Sequence, residues 1–216
     1  MSYLEDAVKQ VRFLIFESVK LIPNNKIRNA VKDFLDTKVP DYFWMVQASS
    51  TGKNHPKFSS QIGGLARHTV VAANYAVNLY NSKVVYSLFK PFSREDLSFA
   101  LAAILLHDTF KLGYEDNGHT VYSHGSIAAD EFYSFATKET TIEKQDIEII
   151  CNAISSHMGR WGRNQPDDNV SKFVSLCDYL SAQKEMERFY DTSAFNIIDN
   201  YESDITKFIN FSDDHE

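Results

Sequence analysis

Four histidines and two aspartates share one costly placement. His68, His107, Asp108, His124, His157 and Asp178 each fall on an apolar helical stripe of the sequence. His68 heads Val71, Ala72, Tyr75 and Leu79, which share one helix face. His107 and Asp108 end a stripe of Leu97, Leu101, Ile104 and Leu105. His124 heads Ile127, Ala128, Phe132 and Phe135, and His157 closes Ile147, Ile150, Cys151 and Ile154. Asp178 lies one turn after Val174. A lone histidine in such a place reads as a core residue bonded to the backbone. Six titratable groups turned inward from five helices need a common partner, because a buried unpaired charge is strongly unfavourable. Divalent cations satisfy imidazole nitrogen and carboxylate oxygen together.

Six ligands are enough for two ions. Asp108 has two oxygens and can bridge. The expected division gives His68, His107, Asp108 and Asp178 to one ion, and His124, His157 and the other Asp108 oxygen to a second. Mn, Fe, Ni or Co suit this donor set best, with Mg or Zn as alternatives. Two such ions would clamp a phosphate and supply a water-derived nucleophile at neutral pH.

The elements that must position these groups are helical. Periodicity predicts helices near 4–20, 25–37, 64–80, 94–108, 124–137, 143–157 and 168–188, with a weaker one toward 200–210. "SRED" from Ser93 and "TTIE" from Thr140 resemble capping boxes, and Ser123 is a candidate N-cap. "DYFWMVQAS" reads as a short extended piece. The expected fold is an all-α helical bundle around a central binuclear site. Residues 1–45 are an N-terminal helical segment packing on the core, 46–190 the metal-binding domain, and 191–216 a C-terminal extension with a polar tail.

Bulk composition narrows the partners. The chain has 216 residues, 44% hydrophobic and 24% charged, with a net charge of −7. That balance disfavours a broad nucleic-acid surface and leaves room for a local phosphate pocket. Cys151 and Cys177 read as buried free thiols, which fits a reducing cytoplasm. The N-terminus is not a secretory signal, and no apolar run approaches a membrane span.

The ordered pattern His68, His107-Asp108, His124, His157, Asp178 resembles the HD-domain metal-dependent phosphohydrolase superfamily, in its six-ligand branch. "HDTFK" is similar to the HD-x-x-K form, which implies that Lys111 lies near the bound phosphate and assists Asp108 in catalysis. Phe110 stands where the family has a small glycine. "STGKNHPKFSSQIGGLARHT" and "SSHMGRWG" are similar to stretches of bacterial HD-domain 3′→5′ exoribonucleases, with Met158 in place of a second histidine. No alternating pattern for their additional OB domain is found. The resemblance implies a phosphodiesterase or exonuclease-like hydrolase of a nucleotide or short single-stranded oligonucleotide. A nucleoside mono- or triphosphate hydrolase is the alternative. Two other classes share the ligand set: di-iron oxygenases and idle nucleotide-sensing modules.

Candidate substrate contacts lie in the loops. Lys53 and Lys57 flank His55, which either reaches substrate or is a solvated loop residue. Arg67 pairs with phosphate or with an acidic neighbour. Lys111 is expected on phosphate, since a metal pair disfavours a lasting ion pair with a helix residue. Trp161 lies among Arg160 and Arg163, and either stacks a nucleobase or plugs a helix seam. His119 reads as a surface residue.

Overall fold

The computed structural model describes residues 3–49, 55–82, 85–89 and 91–184. Eight α-helices occur among them: α1 (Tyr3–Val19), α2 (Asn25–Thr37), α3 (Gly64–Asn81), α4 (Val85–Leu88), α5 (Arg94–Leu106), α6 (His124–Glu139), α7 (Lys144–Ser156) and α8 (Asn169–Ser181). Three short 3-10 turns join them, at Asp41–Trp44, Lys57–Ser59 and Gly159–Trp161. No strand is present among the described residues, so the architecture is the all-α bundle expected. The helix expected near 200–210 lies outside the described residues. The one expected to reach 188 stops at Ser181, where the Ala182 N–H turns back onto the Asp178, Tyr179 and Leu180 carbonyls.

α5 is the axle of the bundle. Every residue from Leu97 to Leu106 is buried. A helix apolar on all sides must be enclosed by others, and α5 packs against α1, α2, α3, α7 and α8. The single stripe read from the sequence therefore understates it. The interleaved alanines Ala100, Ala102 and Ala103 let neighbouring helices approach on the other faces. α1 and α2 share this core. Val11, Ile15, Val31 and Phe34 are each fully enclosed, and Phe34 meets the Phe132 ring edge-on at 5.4 Å.

Local signals explain most boundaries. Ser93 and Asp96 form the expected capping box at α5. Asp168 and Ser171 form another at α8, which starts there as the sequence suggests. Two expected caps are not made. Thr140 spends its hydroxyl on the Ala136 carbonyl and so ends α6 instead of starting α7. Ser123 makes no side-chain cap bond, because a tight turn from Val121 O to His124 N feeds directly into α6. The stretch after Pro40 is also a correction. It winds into a 3-10 turn, not an extended piece, and buries Tyr42, Phe43 and Trp44. Proline fixes the backbone angle that starts such a turn, and the three aromatic rings hold it closed. Cys177 is buried, whereas Cys151 is only half-buried and donates to the Ala129 carbonyl.

Gly64 brings the entry loop onto the first histidine helix. A Cβ there would lie 2.1 Å from the Ser59 carbonyl oxygen. Only glycine lets the Lys57–Ser59 turn lie directly on α3. Gly63, at φ +72°, supplies the left-handed turn before it.

Candidate metal centre

The bundle places its chemistry at helix ends. His68 is in the first two turns of α3, and His124 is the first residue of α6. His107 and His157 immediately follow the last residues of α5 and α7. Asp108 follows His107 in a tight turn, and Asp178 is in the last turn of α8. The C-termini of α5, α7 and α8 thus aim partial negative charge toward the same place, which favours a cation.

The structure brings all six residues together. His68 Nε2 lies 2.9 Å from Asp178 Oδ1 and 3.8 Å from Asp108 Oδ2. His107 Nε2 is 3.4 Å from each of those two oxygens. The other Asp108 oxygen, Oδ1, is 3.1 Å from His124 Nε2 and 3.8 Å from His157 Nε2. The two oxygens of Asp108 therefore face different pairs of histidines. Two sets of ligand atoms each lie within 4.8 Å of one another: His68, His107 and Asp178, and His107, Asp108 and His157. His107 joins both sets, whereas the sequence division gave it to one ion. All these side chains are almost fully buried except Asp178, which is 22% exposed and marks the open side.

The hydrogen bonds select the tautomers. Nδ1 of His107, His124 and His157 donates to the carbonyls of Ile104, Val121 and Ile154, at 2.6, 2.7 and 2.7 Å. His68 Nδ1 is 3.1 Å from Ser181 Oγ, whose proton is committed to the Asp178 carbonyl, so here too Nδ1 is the donor. Each Nε2 then faces inward, where it offers a lone pair to a cation once it carries no proton. His124 and His157 present theirs to each other at 3.1 Å. His107 Nε2 and Asp108 Oδ1 are buried and have no hydrogen-bond partner. Imidazole nitrogens crowded against carboxylate oxygens, with two of these atoms orphaned, are what a divalent cation relieves. The residues fit such an ion.

Electrostatics agree. Burial pushes the Asp108 carboxyl up, but Lys111, His107 and hydrogen bonds hold it well below the usual range. Asp178 is likewise held well below it against burial, by the neighbouring His107 and His68. Burial lowers the His107 pKa, yet Asp108 and Asp178 outweigh it and raise the value to about 10. His157 falls to about 3, through burial and then the neighbouring His107 and His124. The cluster thus favours one extra positive charge, held between the carboxylates.

The remaining expected residues divide. Lys111 Nζ lies 2.6 Å from Asp108 Oδ2. The ion pair that the sequence reading disfavoured does form, because a buried carboxylate surrounded by acceptors takes the nearest cation. His55 is half-buried. Its ring packs edge-on to His68 at 5.3 Å, and its Nδ1 has no partner. It is not a solvated loop residue, and burial with its His68 and Lys111 neighbours lowers its pKa to about 3. Arg67 is buried, and its Nη1 donates to the Ile62 carbonyl, so part of its guanidinium is committed to the loop before α3. His119 is exposed and bonded to the Asn117 carbonyl. Trp161 plugs no seam: it is 52% exposed. Arg160 lies over its ring, and Arg163 lies near the Tyr122 ring. Lys53 lies outside the described residues.

Sequence reasoning missed two residues. Tyr42 accepts from the Leu112 N–H at 3.2 Å and donates to the Gly113 carbonyl. It therefore anchors the turn directly after Lys111. Tyr179, beside Asp178, stacks on Trp161. A tyrosine next to an inward aspartate on a helix was the available signal for the second. Nothing local signals the first.

Among the described residues no helix is long and apolar enough to cross a membrane. No curated protein and no solved structure matches the chain. A family profile, HD domain, matches residues 65–183, more than half of the chain, and spans all six clustered residues. The chain belongs to the HD-domain family, whose members are generally metal-dependent hydrolases that bind divalent cations.

Proposed function

We propose that the protein hydrolyses a phosphoester bond in a nucleotide or short oligonucleotide, with His68, His107, Asp108, His124, His157 and Asp178 holding two divalent cations. The observation that carries this reading is the inward set of imidazole Nε2 atoms and carboxylate oxygens, two of them buried without hydrogen-bond partners. Bound cations there would supply Lewis acidity toward a phosphoryl oxygen and a nucleophile drawn from water.

The chain's own groups do the rest. The carbonyls of Ile104, Val121 and Ile154 fix the rings, so each Nε2 keeps its direction during turnover. Lys111 brings a positive charge to Asp108 Oδ2, where it offsets a dianionic phosphate arriving beside two carboxylates. Its side chain is 13% exposed, against 2% for Asp108, so it stands on the solvent side of that carboxylate. Asp178, the most exposed of the six, borders the entrance. His55 closes the His68 side with a neutral ring, edge-on to it and with a buried Nδ1 that has no partner.

The test is metal-dependent turnover. Protein stripped of metal and reloaded with Mn²⁺, Fe²⁺, Ni²⁺, Co²⁺ or Mg²⁺ is assayed on bis-p-nitrophenyl phosphate, mononucleotides, nucleoside triphosphates and short single strands. Hydrolysis with at least one metal is expected. No hydrolysis from protein that demonstrably retains two ions would reject the reading.

A further inference from the structure

An aromatic stack joins two segments that each carry one of the clustered residues. Tyr179 directly follows Asp178, and Trp161 comes four residues after His157. Their ring centroids are 5.6 Å apart and their planes 11° from parallel. The Arg160 guanidinium carbon lies 4.3 Å from the Trp161 centroid. Trp161 is 52% exposed and Tyr179 41% exposed.

The stack is held in place by backbone. Gly159 takes φ +54°, and a Cβ there would lie 2.7 Å from Ser175 Oγ, one turn before Tyr179 on α8. The turn carrying Trp161 therefore lies directly on the helix carrying Tyr179. Gln165 Nε2 donates to the carbonyls of Gly159 and Gly162 and ties the far side of the loop. Large flat rings held rigid, partly exposed and flanked by a guanidinium do little for the core. They are suited to stacking a planar, electron-rich ring.

We infer that Trp161, Tyr179 and Arg160 form a base-binding subsite that stacks an unpaired nucleobase while its phosphate lies at the metal centre. The inference rests on the phosphoester reading and adds a requirement to it. A base within a duplex has both faces covered, so the ligand is a mononucleotide or the free end of a single strand. The chain is acidic overall, so affinity comes from this local contact and not from a broad basic surface.

The experiment reads binding without turnover. Of the two tryptophans in the chain, Trp44 is 2% exposed, so Trp161 is the one that solvent and ligand reach. Tryptophan emission of the metal-stripped full chain is titrated with AMP, with a short oligo(A) RNA and with ribose 5-phosphate. AMP and oligo(A) are expected to quench the exposed component, and ribose 5-phosphate is not. Tyr179→Ala should weaken AMP binding by about five- to 150-fold. If that variant melts abnormally, Trp161→Phe serves instead. It should keep AMP binding by equilibrium dialysis within about fivefold, and Trp161→Ser should lose it. Equal quenching by ribose 5-phosphate, no quenching by either base-bearing ligand, or unchanged AMP affinity on removing the ring would overturn the subsite. None of these readouts needs metal or hydrolysis, so the subsite and the hydrolase reading fail separately.

Discussion

At the residue scale, Asp108 is the joint of the centre. Its two oxygens face separate histidine pairs, and Lys111 is bound to one of them. Asp108→Ala should lower metal affinity by on the order of a hundredfold or more and bring hydrolysis to background. Atomic absorption after gel filtration, beside the turnover assay, checks both, and full activity in this variant would remove the binuclear reading. The proton held by His107 gives a second expectation. Its pKa is raised to about 10, so at neutral pH the metal-free ring is charged and a cation must displace that proton. Apparent metal affinity should then rise about tenfold per pH unit between pH 7 and 9, and calorimetry in buffers of different ionisation enthalpy should detect the released proton. A flat profile would place no proton there. Stability of the metal-free protein has the opposite dependence from this group: a raised folded pKa stabilises fully below about pH 6.5 and is lost as pH climbs through about 10. Asp108 and Asp178, held low, contribute above about pH 4 and lose that contribution as acid takes the pH through their folded values.

The six clustered residues were legible because each is a polar group on an apolar stripe, and such a conflict is visible in one dimension. Tyr179 was overlooked, because its one signal is its place beside Asp178 and an exposed tyrosine on a helix breaks no local rule. Lys111 was legible through the resemblance of "HDTFK" to the HD-x-x-K form, but its bond to Asp108 was not, since only the closed cluster reveals how short of cations it is.

At the element scale, glycines and one buried tyrosine decide how closely the helices present their groups. Gly125, the second residue of α6, would place a Cβ 3.0 Å from the His157 ring. Gly125→Ala should therefore displace that ring and weaken metal binding more than it lowers the melting temperature. Equal loss in both would indicate general misfolding of α6 against α7. Tyr42→Phe leaves the Leu112 N–H without its partner at a cost of about 1–3 kcal/mol. Because the turn it holds also carries Lys111, kcat should fall along with stability. The positions of the long helices followed from periodicity, but the short α4 and several helix ends did not. Thr140 could serve as the end of one helix or the start of the next, and the choice depended on an Ala136 carbonyl within reach. The all-round burial of α5 escaped a reading built on stripes, because alanine counts weakly as apolar yet packs closest.

At the scale of the whole molecule, the family match begins at residue 65 but the core does not. Val11, Ile15, Ile27, Val31 and Phe34 belong to the same buried cluster as α5, and Arg12 lies over the Trp44 ring at 4.5 Å. A chain starting at residue 46 would expose that surface. It should lose its cooperative thermal transition and its near-ultraviolet circular dichroism, and a sharp melt from such a truncation would show that the metal-binding helices stand alone. The amphipathic spacing in residues 4–37 was legible, but it suited a partner interface as well as packing on the core. Its target was not legible, since which helix receives an apolar face is settled by the three-dimensional match and not by either sequence segment.

The carbonyls that grip His107 and His157 belong to the last turns of α5 and α7, where a helix runs out of amides to pair with its own oxygens. One bond thus finishes a helix and aims a ligand. Because the bonds that aim these rings are also bonds that close helices, loading with a divalent cation should leave far-ultraviolet circular dichroism unchanged and raise the melting temperature by mass action. Helix end and ligand direction hang on the same oxygen atoms, so neither can be disturbed without the other.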